Sequence, residues 1–334
     1  MEATATTKVP EMFRMGPGNV LRGQAMNAHP PGLRLGVDEN GLGPRLGPMI
    51  VTGALIAVSS DWERFVSAAR SVGIGDSKGL CAHGAMREVE ATVLAVLDVH
   101  LGLRPSTFAE LFEALNLDGD AFLRALCPDG EAPRMCFDAD VALPAFGGAP
   151  DDRHRDGARA LRDAGGLVRS VRFTSVCNRR LNVERAHGRS RFDVDLSRML
   201  DLVRALRVDA GGSVTAVCGK VGGRKRYGDA LAALSPLVAV EEEIASRSAY
   251  RVPGVGSVTF LQDADESDPV VGLASLVGKY VRELSMLRIH LDLRAHVPEL
   301  GAASGYHDPV TTRYIAATAL VRRERRIPDD CFER

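Results

Sequence analysis

Asp38 and Glu39 are adjacent carboxylates at the end of the apolar run LRLGV, and Gly41 and Gly43 follow at once. Consecutive strand residues face opposite sides. Two neighbouring acids therefore serve one site only where the strand ends or kinks. Carboxylate oxygens suit hard cations such as Mg²⁺ and Mn²⁺. Concentrated negative charge repels itself unless a cation offsets it. A solvated Asp-Glu turn fits the same spacing. A second acidic group, Asp263, Asp265, Glu266 and Asp268, follows VTFLQ and precedes VVGLASLVGKYVREL. Acids at a helix start cap it and complement its dipole, so capping and metal ligation both stay open. In that helix Gly272, Ala274, Ser275 and Gly278 are small residues that let another backbone approach, and Lys279 and Arg282 lie further along. The loop 219–228, GKVGGRKRYG, carries Lys220, Arg224, Lys225 and Arg226. Basic glycine-rich loops after strands hold phosphate or are simply solvated. This one lacks the G-x-x-x-x-G-K-[ST] spacing of a P-loop.

The elements that must position these residues follow from hydrophobic period and punctuation. Strands are predicted near 33–38 and 48–58, joined by a glycine-rich turn, and near 167–176, 213–218 and 256–262. Helices are predicted over 61–72, 84–103, 193–207 and 269–289. Two short ones are expected within 106–126, the first capped by Ser106 or Thr107 with Glu110. Residues 128–157 are expected to form an irregular loop. Strands followed by strand–helix alternation imply a mixed α/β sheet.

The chain has 334 residues, 45% hydrophobic and 25% charged, which is an ordinary globular mix. No run of about 18 apolar residues exists, so no membrane span is expected. The start of the chain lacks the pattern of a secretory signal, and a cytoplasmic monomer is expected. A net charge of −1 argues against a charge-driven nucleic-acid binder but allows a local basic groove. Aromatic residues, at 5%, argue against a base-stacking platform. The six cysteines have no C-x-x-C pair and read as reduced thiols. A mobile tail over 1–32, a main domain over 33–289 and a helical segment over 290–334 are expected.

Four segments occur in the order of one family. DENGLGPRLGP (38–48) resembles the D-E-A-G-R-G-P-x-x-G-P signature of type 2 ribonuclease H, and GDSKGL (75–80) resembles its D-S-K-x-L segment. DADESDPVVGLASLVGKYVRE (263–283) is similar to the family's acid followed by A-A-A-S-I-x-A-K-x-x-R-D, and GYHDPVTTRY (305–314) to its G-Y-x-T-K-x-H element. Residues 104–166 have no counterpart and read as an insertion. The resemblance implies a ribonuclease H-like mixed sheet flanked by helices, with a helical C-terminal extension and a mid-chain insertion. It also implies two-metal hydrolysis of the RNA strand of RNA–DNA hybrids, or cleavage 5′ of a ribonucleotide embedded in duplex DNA. Asp38, Glu39 and Asp265 would then be catalytic ligands of Mg²⁺ or Mn²⁺. Gly41 and Gly43 would approach the ribose 2′-OH, Lys78 would contact phosphate, and Tyr306 would pack on a sugar. Arg224 is a further candidate for backbone binding, from its charge alone.

Two positions depart from the family. Cys218–Gly219 stands where the family has an Asp-Gly pair, and Leu42 replaces an arginine. A thiol is a poor ligand for Mg²⁺, so the set drops to three carboxylates. Cys218 is expected beside Asp38, where an aspartate would strengthen Mg²⁺ binding. The alternative reading is a catalytically weakened or inactive nucleic-acid- or partner-binding module on the same scaffold. A metal-dependent nuclease for another substrate is a third.

Overall fold

The computed structural model describes residues 32–59, 61–75, 86–127, 137 and 139–334. The expected tail up to residue 31 and Lys78 lie outside the described residues.

Seven strands form one sheet in the order β3-β2-β1-β4-β7-β6-β5. Strands β1 (Gly32–Asn40), β2 (Met49–Val58) and β3 (Gly166–Val176) pair antiparallel. Next to β1 lies β4 (Val214–Gly219), parallel to it, and β7 (Gly256–Leu261) runs parallel to β4. An antiparallel ribbon, β5 (Ala239–Glu243) and β6 (Arg247–Val252), completes the edge. The main helices are α1 (Trp62–Ser71), α2 (Met86–Val96), α3 (Phe108–Leu115), α4 (Asp152–Asp163), α5 (Asn178–Ala186), α6 (Arg191–Ala210), α7 (Pro269–Arg294) and α8 (Pro309–Ala317). The architecture is thus a mixed sheet flanked by helices, with a helical C-terminal region, as the sequence implied. Among the described residues no helix is long and apolar enough to cross a membrane.

The alternation of β1 and β2 builds two cores. Ile50, Ala54 and Ile56 face α2 and α7, while Leu35, Val37, Val51 and Leu55 face α6. Glycines set the distance between α7 and β1. A Cβ on Gly36 would lie 2.3 Å from the carbonyl carbon of Val270. One on Gly278 would lie 2.5 Å from the Asn40 Nδ2. The small residues of this helix therefore let the strand bearing Asp38 and Glu39 lie directly against the helix bearing Lys279.

Three expectations need correction. The ribbon β5–β6 has no counterpart among the expected strands: β5 is largely exposed and carries Glu241, Glu242 and Glu243, and β6 buries Ala249, Tyr250 and Val252 without strict alternation. Helix α4 starts inside the expected loop 128–157. It is polar nearly all round and buries only Ala158 and Leu161. The long helix continues past residue 289 to Arg294, so the expected boundary falls inside it. Segment 104–165 lies beside the sheet in the described residues. Its helix α3 packs Leu111, Phe112 and Leu115 into the core, and it meets β3 at Phe173, through the bridge to Asn116 and the edge-on ring of Phe112, without adding a strand to the sheet.

Substituting Gly36→Ala is expected to destabilise the fold by about 3 kcal/mol or more in chemical denaturation, because backbone and not a flexible side chain must yield. A loss below about 1 kcal/mol would show that α7 can lift off β1 freely.

Candidate active site

Where β1 ends between β2 and β4, alternation sends its two acids to opposite faces. Leu35 and Val37 pack toward α6, so Glu39 continues that side. Gly36 abuts α7, so Asp38 faces α7. Asp265 arrives from the turn Ala264–Ser267, which follows β7, and the adjacent Asp263 sits in the left-handed region at φ 49°. Asp38, Glu39 and Asp265 line one open cleft of about 740 Å³, together with Gly219, Lys220, Lys225, Ser275 and Lys279.

The electrostatics of this cleft are unusual. Loss of hydration pushes the Asp38 carboxyl up to about 6. Asp265 adds to the rise, while Ser275, Lys279 and the Glu39 amide oppose it. Glu39 rises to about 7, through lost hydration and then the charge of Asp38. The Leu42 amide, which donates to Glu39 Oε2 at 3.0 Å, and Arg334 and Arg191 pull Glu39 the other way. Beneath them Asp195, on α6, is fully buried, and burial, Glu39 and Asp38 all raise it well above the ordinary carboxylate range.

This donor set consists of carboxylate oxygens that lack full neutralisation, which fits a hard divalent cation. Among the described residues, however, no three His, Cys, Asp or Glu side chains stand close enough to hold one ion as they are. A bound ion would have to draw them together.

The other expected residues fall as follows. Gly41 has φ +97°, and a Cβ there would lie 2.8 Å from the Pro48 carbonyl oxygen, so only glycine suits this turn. Gly43 has open space around its Cα. Tyr306 is half exposed, with the Arg282 guanidinium 5.1 Å from its ring centre. Arg224 is engaged by Asp193 at 2.7 Å, and Lys220 Nζ donates to the carbonyls of Arg224 and Ile244. Lys225 and Lys279 are therefore better placed in the cleft than Arg224.

The expected position of Cys218 needs correction. Its parallel partner on β1 is Val37, not Asp38. The thiol is fully buried in the α6-side core with Val214 and Ala216. Gly219 is the residue beside Asp38, and a Cβ there would lie 2.8 Å from Asp38 Oδ1. An aspartate at 218 would add a second buried acid near Asp195 instead of a ligand in the cleft.

Sequence reasoning missed two groups. Asp195 lies on the buried stripe of α6 with Met199, Leu202 and Leu206, and a lone acid at i of an i, i+4, i+7, i+11 apolar series was a readable signal. Arg334 donates through Nε to the Pro44 carbonyl at 2.6 Å and through Nη2 to the Gly41 carbonyl. Arg191 donates to the Leu42 carbonyl at 3.2 Å. Together with Arg282, these guanidinia surround the loop that carries Leu42, and their proximity helps to lower Arg334 to about 10, after burial.

No family model and no curated protein matches the chain. Among solved structures it is similar to Archaeoglobus fulgidus RNase HII in a complex with PCNA, at 17% identity and TM-score 0.45, covering 90% of this chain and 93% of that one. It is also similar to ribonuclease H2 from Pyrococcus horikoshii OT3, at 15% identity and TM-score 0.47, covering 90% and 92%. A third is Bst-RNase HIII in complex with Mn²⁺, at 14% identity and TM-score 0.45, where 91% of this chain covers 66% of that one.

Raised carboxyl pKa values mean that the folded chain binds protons more tightly than the unfolded chain. Stability from Asp38 and Glu39 is thus full below about pH 4 and is lost as pH rises through about 6 to 7. The variant Asp38→Asn removes one of these charges. Without divalent metal, its thermal-stability advantage over the parent chain is expected to be larger at about pH 8 than at about pH 5. An advantage that does not change with pH would mean that Asp38 titrates as an ordinary solvated acid.

Proposed function

We propose that the chain is a ribonuclease H-like endonuclease of the type 2 kind, which hydrolyses the RNA strand of RNA–DNA hybrids or cuts 5′ of a ribonucleotide in duplex DNA. The observation that carries this reading is the meeting of Asp38, Glu39 and Asp265 in one cleft, although more than 220 positions separate the first from the last. Asp38, Glu39 and Asp265 would hold Mg²⁺ or Mn²⁺. When bound, such a cation polarises the phosphodiester and makes water a stronger nucleophile.

The chain's own residues supply the rest. Lys225 and Lys279 bring positive charge to the cleft wall, where a phosphate backbone would lie. The positive φ of Gly41 turns the loop without a side chain, leaving room for close approach to a 2′-OH. Arg282 beneath the ring of Tyr306 would hold that ring as a platform for a sugar. Arg334 ties down the Gly41 and Pro44 carbonyls, fixing the loop before substrate arrives. A non-catalytic binding module is the second reading. It is favoured by the thiol at the end of β4 and by the absence, among the described residues, of a preassembled three-ligand group.

The test is a cleavage assay of the full chain with Mg²⁺ and with Mn²⁺, on a hybrid and on a duplex containing one ribonucleotide. Metal-dependent cleavage is expected, with Asp38→Asn reducing it on the order of 10²–10³-fold. Tight binding of both duplexes without cleavage under either metal would favour the binding module.

Because its side chain points into the core, Cys218→Asp is expected to destabilise the metal-free chain by about 3 kcal/mol or more in chemical denaturation, without raising cleavage. A stable, more active Cys218→Asp variant would contradict this placement of the thiol.

A further inference from the structure

Away from the cleft, three cysteines that lie far apart in sequence line one small cavity. Cys127, Cys177 and Cys331 share a space of about 20 Å³ with the apolar side chains of Phe137, Ile289 and Phe332. All three are free thiols. Two of them are set side by side by their neighbours. Cys177 caps α5, and Cys331 lies in the short turn Asp329–Phe332. The residues that follow them are bonded to each other, because Asn178 Nδ2 donates to the Phe332 carbonyl. One turn further along α5, Asn182 Nδ2 donates to the carbonyls of Asp330 at 2.9 Å and Glu333 at 2.8 Å. A disulfide forms without moving the backbone only where its two chain segments are already adjacent. Cys127 is engaged on its own segment, with its Sγ donating to the Leu123 carbonyl at 3.8 Å.

The two adjacent thiols differ in their surroundings. Arg179 Nη1 donates to Cys331 Sγ at 3.7 Å, and Asp330 shares that guanidinium at 3.5 Å. A guanidinium beside sulfur favours the thiolate, which is the form that attacks peroxide. Burial instead pushes the Cys177 thiol up. We propose that Cys331 and Cys177 form an oxidation site for a small peroxide, which closes an intramolecular disulfide between them. The Cys331 sulfur attacks one oxygen of hydrogen peroxide. The O–O bond breaks, a sulfenic acid forms, and the second oxygen leaves as water with the thiol proton. The Cys177 sulfur then attacks the sulfenic sulfur. The S–S bond forms, the S–O bond breaks, and the hydroxyl leaves with the Cys177 proton as a second water. Two electrons pass from the thiol pair to the peroxide. The cavity has room for a molecule about the size of water, which selects a peroxide over bulky disulfide reagents. The new bond fastens to α5 the segment whose Arg334 holds the Gly41 and Pro44 carbonyls. No metal and no nucleic acid enters this step, so it stands apart from the nuclease reading.

The test starts from the full chain, reduced and then freed of reductant. It is treated with hydrogen peroxide, unfolded, alkylated at its remaining thiols, and mapped by mass spectrometry of unreduced peptides. The expected product has lost two of its six thiols and carries one linked peptide pair, containing Cys177 and Cys331, that dithiothreitol separates. Cys127→Ser should form the same link. Cys177→Ser should stop at the sulfenic acid of Cys331, trapped by dimedone, and Cys331→Ser should leave Cys177 reduced. A link from Cys177 to Cys127, a link through any other cysteine, or six thiols that stay free or oxidise singly would overturn the proposal. The map of the parent chain decides the pairing by itself, so a variant that fails to fold leaves the test intact.

Discussion

Repulsion among carboxylates at the end of β1 is the constraint around which the rest of this molecule is arranged. Loss of hydration raises the pKa of each of Asp38, Glu39 and Asp195; Asp265 then adds to the rise at Asp38, Asp38 to that at Glu39, and Glu39 and Asp38 to that at Asp195. Isolated in water such acids would move apart. Here β1 is pinned between β2 and β4, and the glycine contacts of Gly36 and Gly278 lock it against α7. The sheet can hold the acids together only because two apolar cores, one on each face, stabilise it. Buried like charges with raised pKa values, gathered at a cleft, mark this end of the sheet as its candidate functional site.

The cations that the chain does provide are arranged asymmetrically. Lys279 reaches Asp38 from α7, whereas Arg191 and Arg334 reach Glu39 from the opposite side. Arg334 does more than neutralise. Its bonds to the Pro44 and Gly41 carbonyls, and the Arg45–Glu333 ion pair at 2.5 Å, fasten residues 329–334 onto the glycine loop. Leu42 packs against the α6-side core, and the positive charge around this loop comes from arginines distant in sequence.

Much of this was legible in the sequence. Five strands were visible because apolar alternation and glycine punctuation mark them, as in Met49–Val58. Asp38 and Asp265, expected together from motif order, line the same cleft. What was hidden depends on long-range register. Only the parallel pairing of Val37 with Cys218 shows that the thiol turns into the core and that Gly219 flanks Asp38. The ribbon β5–β6 was hidden because the glutamates of β5 read as a solvated face and the buried residues of β6, Ala249, Tyr250 and Val252, do not alternate strictly. Asp195 was hidden in plain view, as one polar residue in an otherwise apolar stripe.

The most direct test of the account is anomalous diffraction from crystals of the chain grown with Mn²⁺. A Mn²⁺ peak is expected at the cleft floor, in contact with carboxylate oxygens of Asp38 and Glu39. A fully occupied peak elsewhere on the molecule, with these two acids untouched, would contradict it.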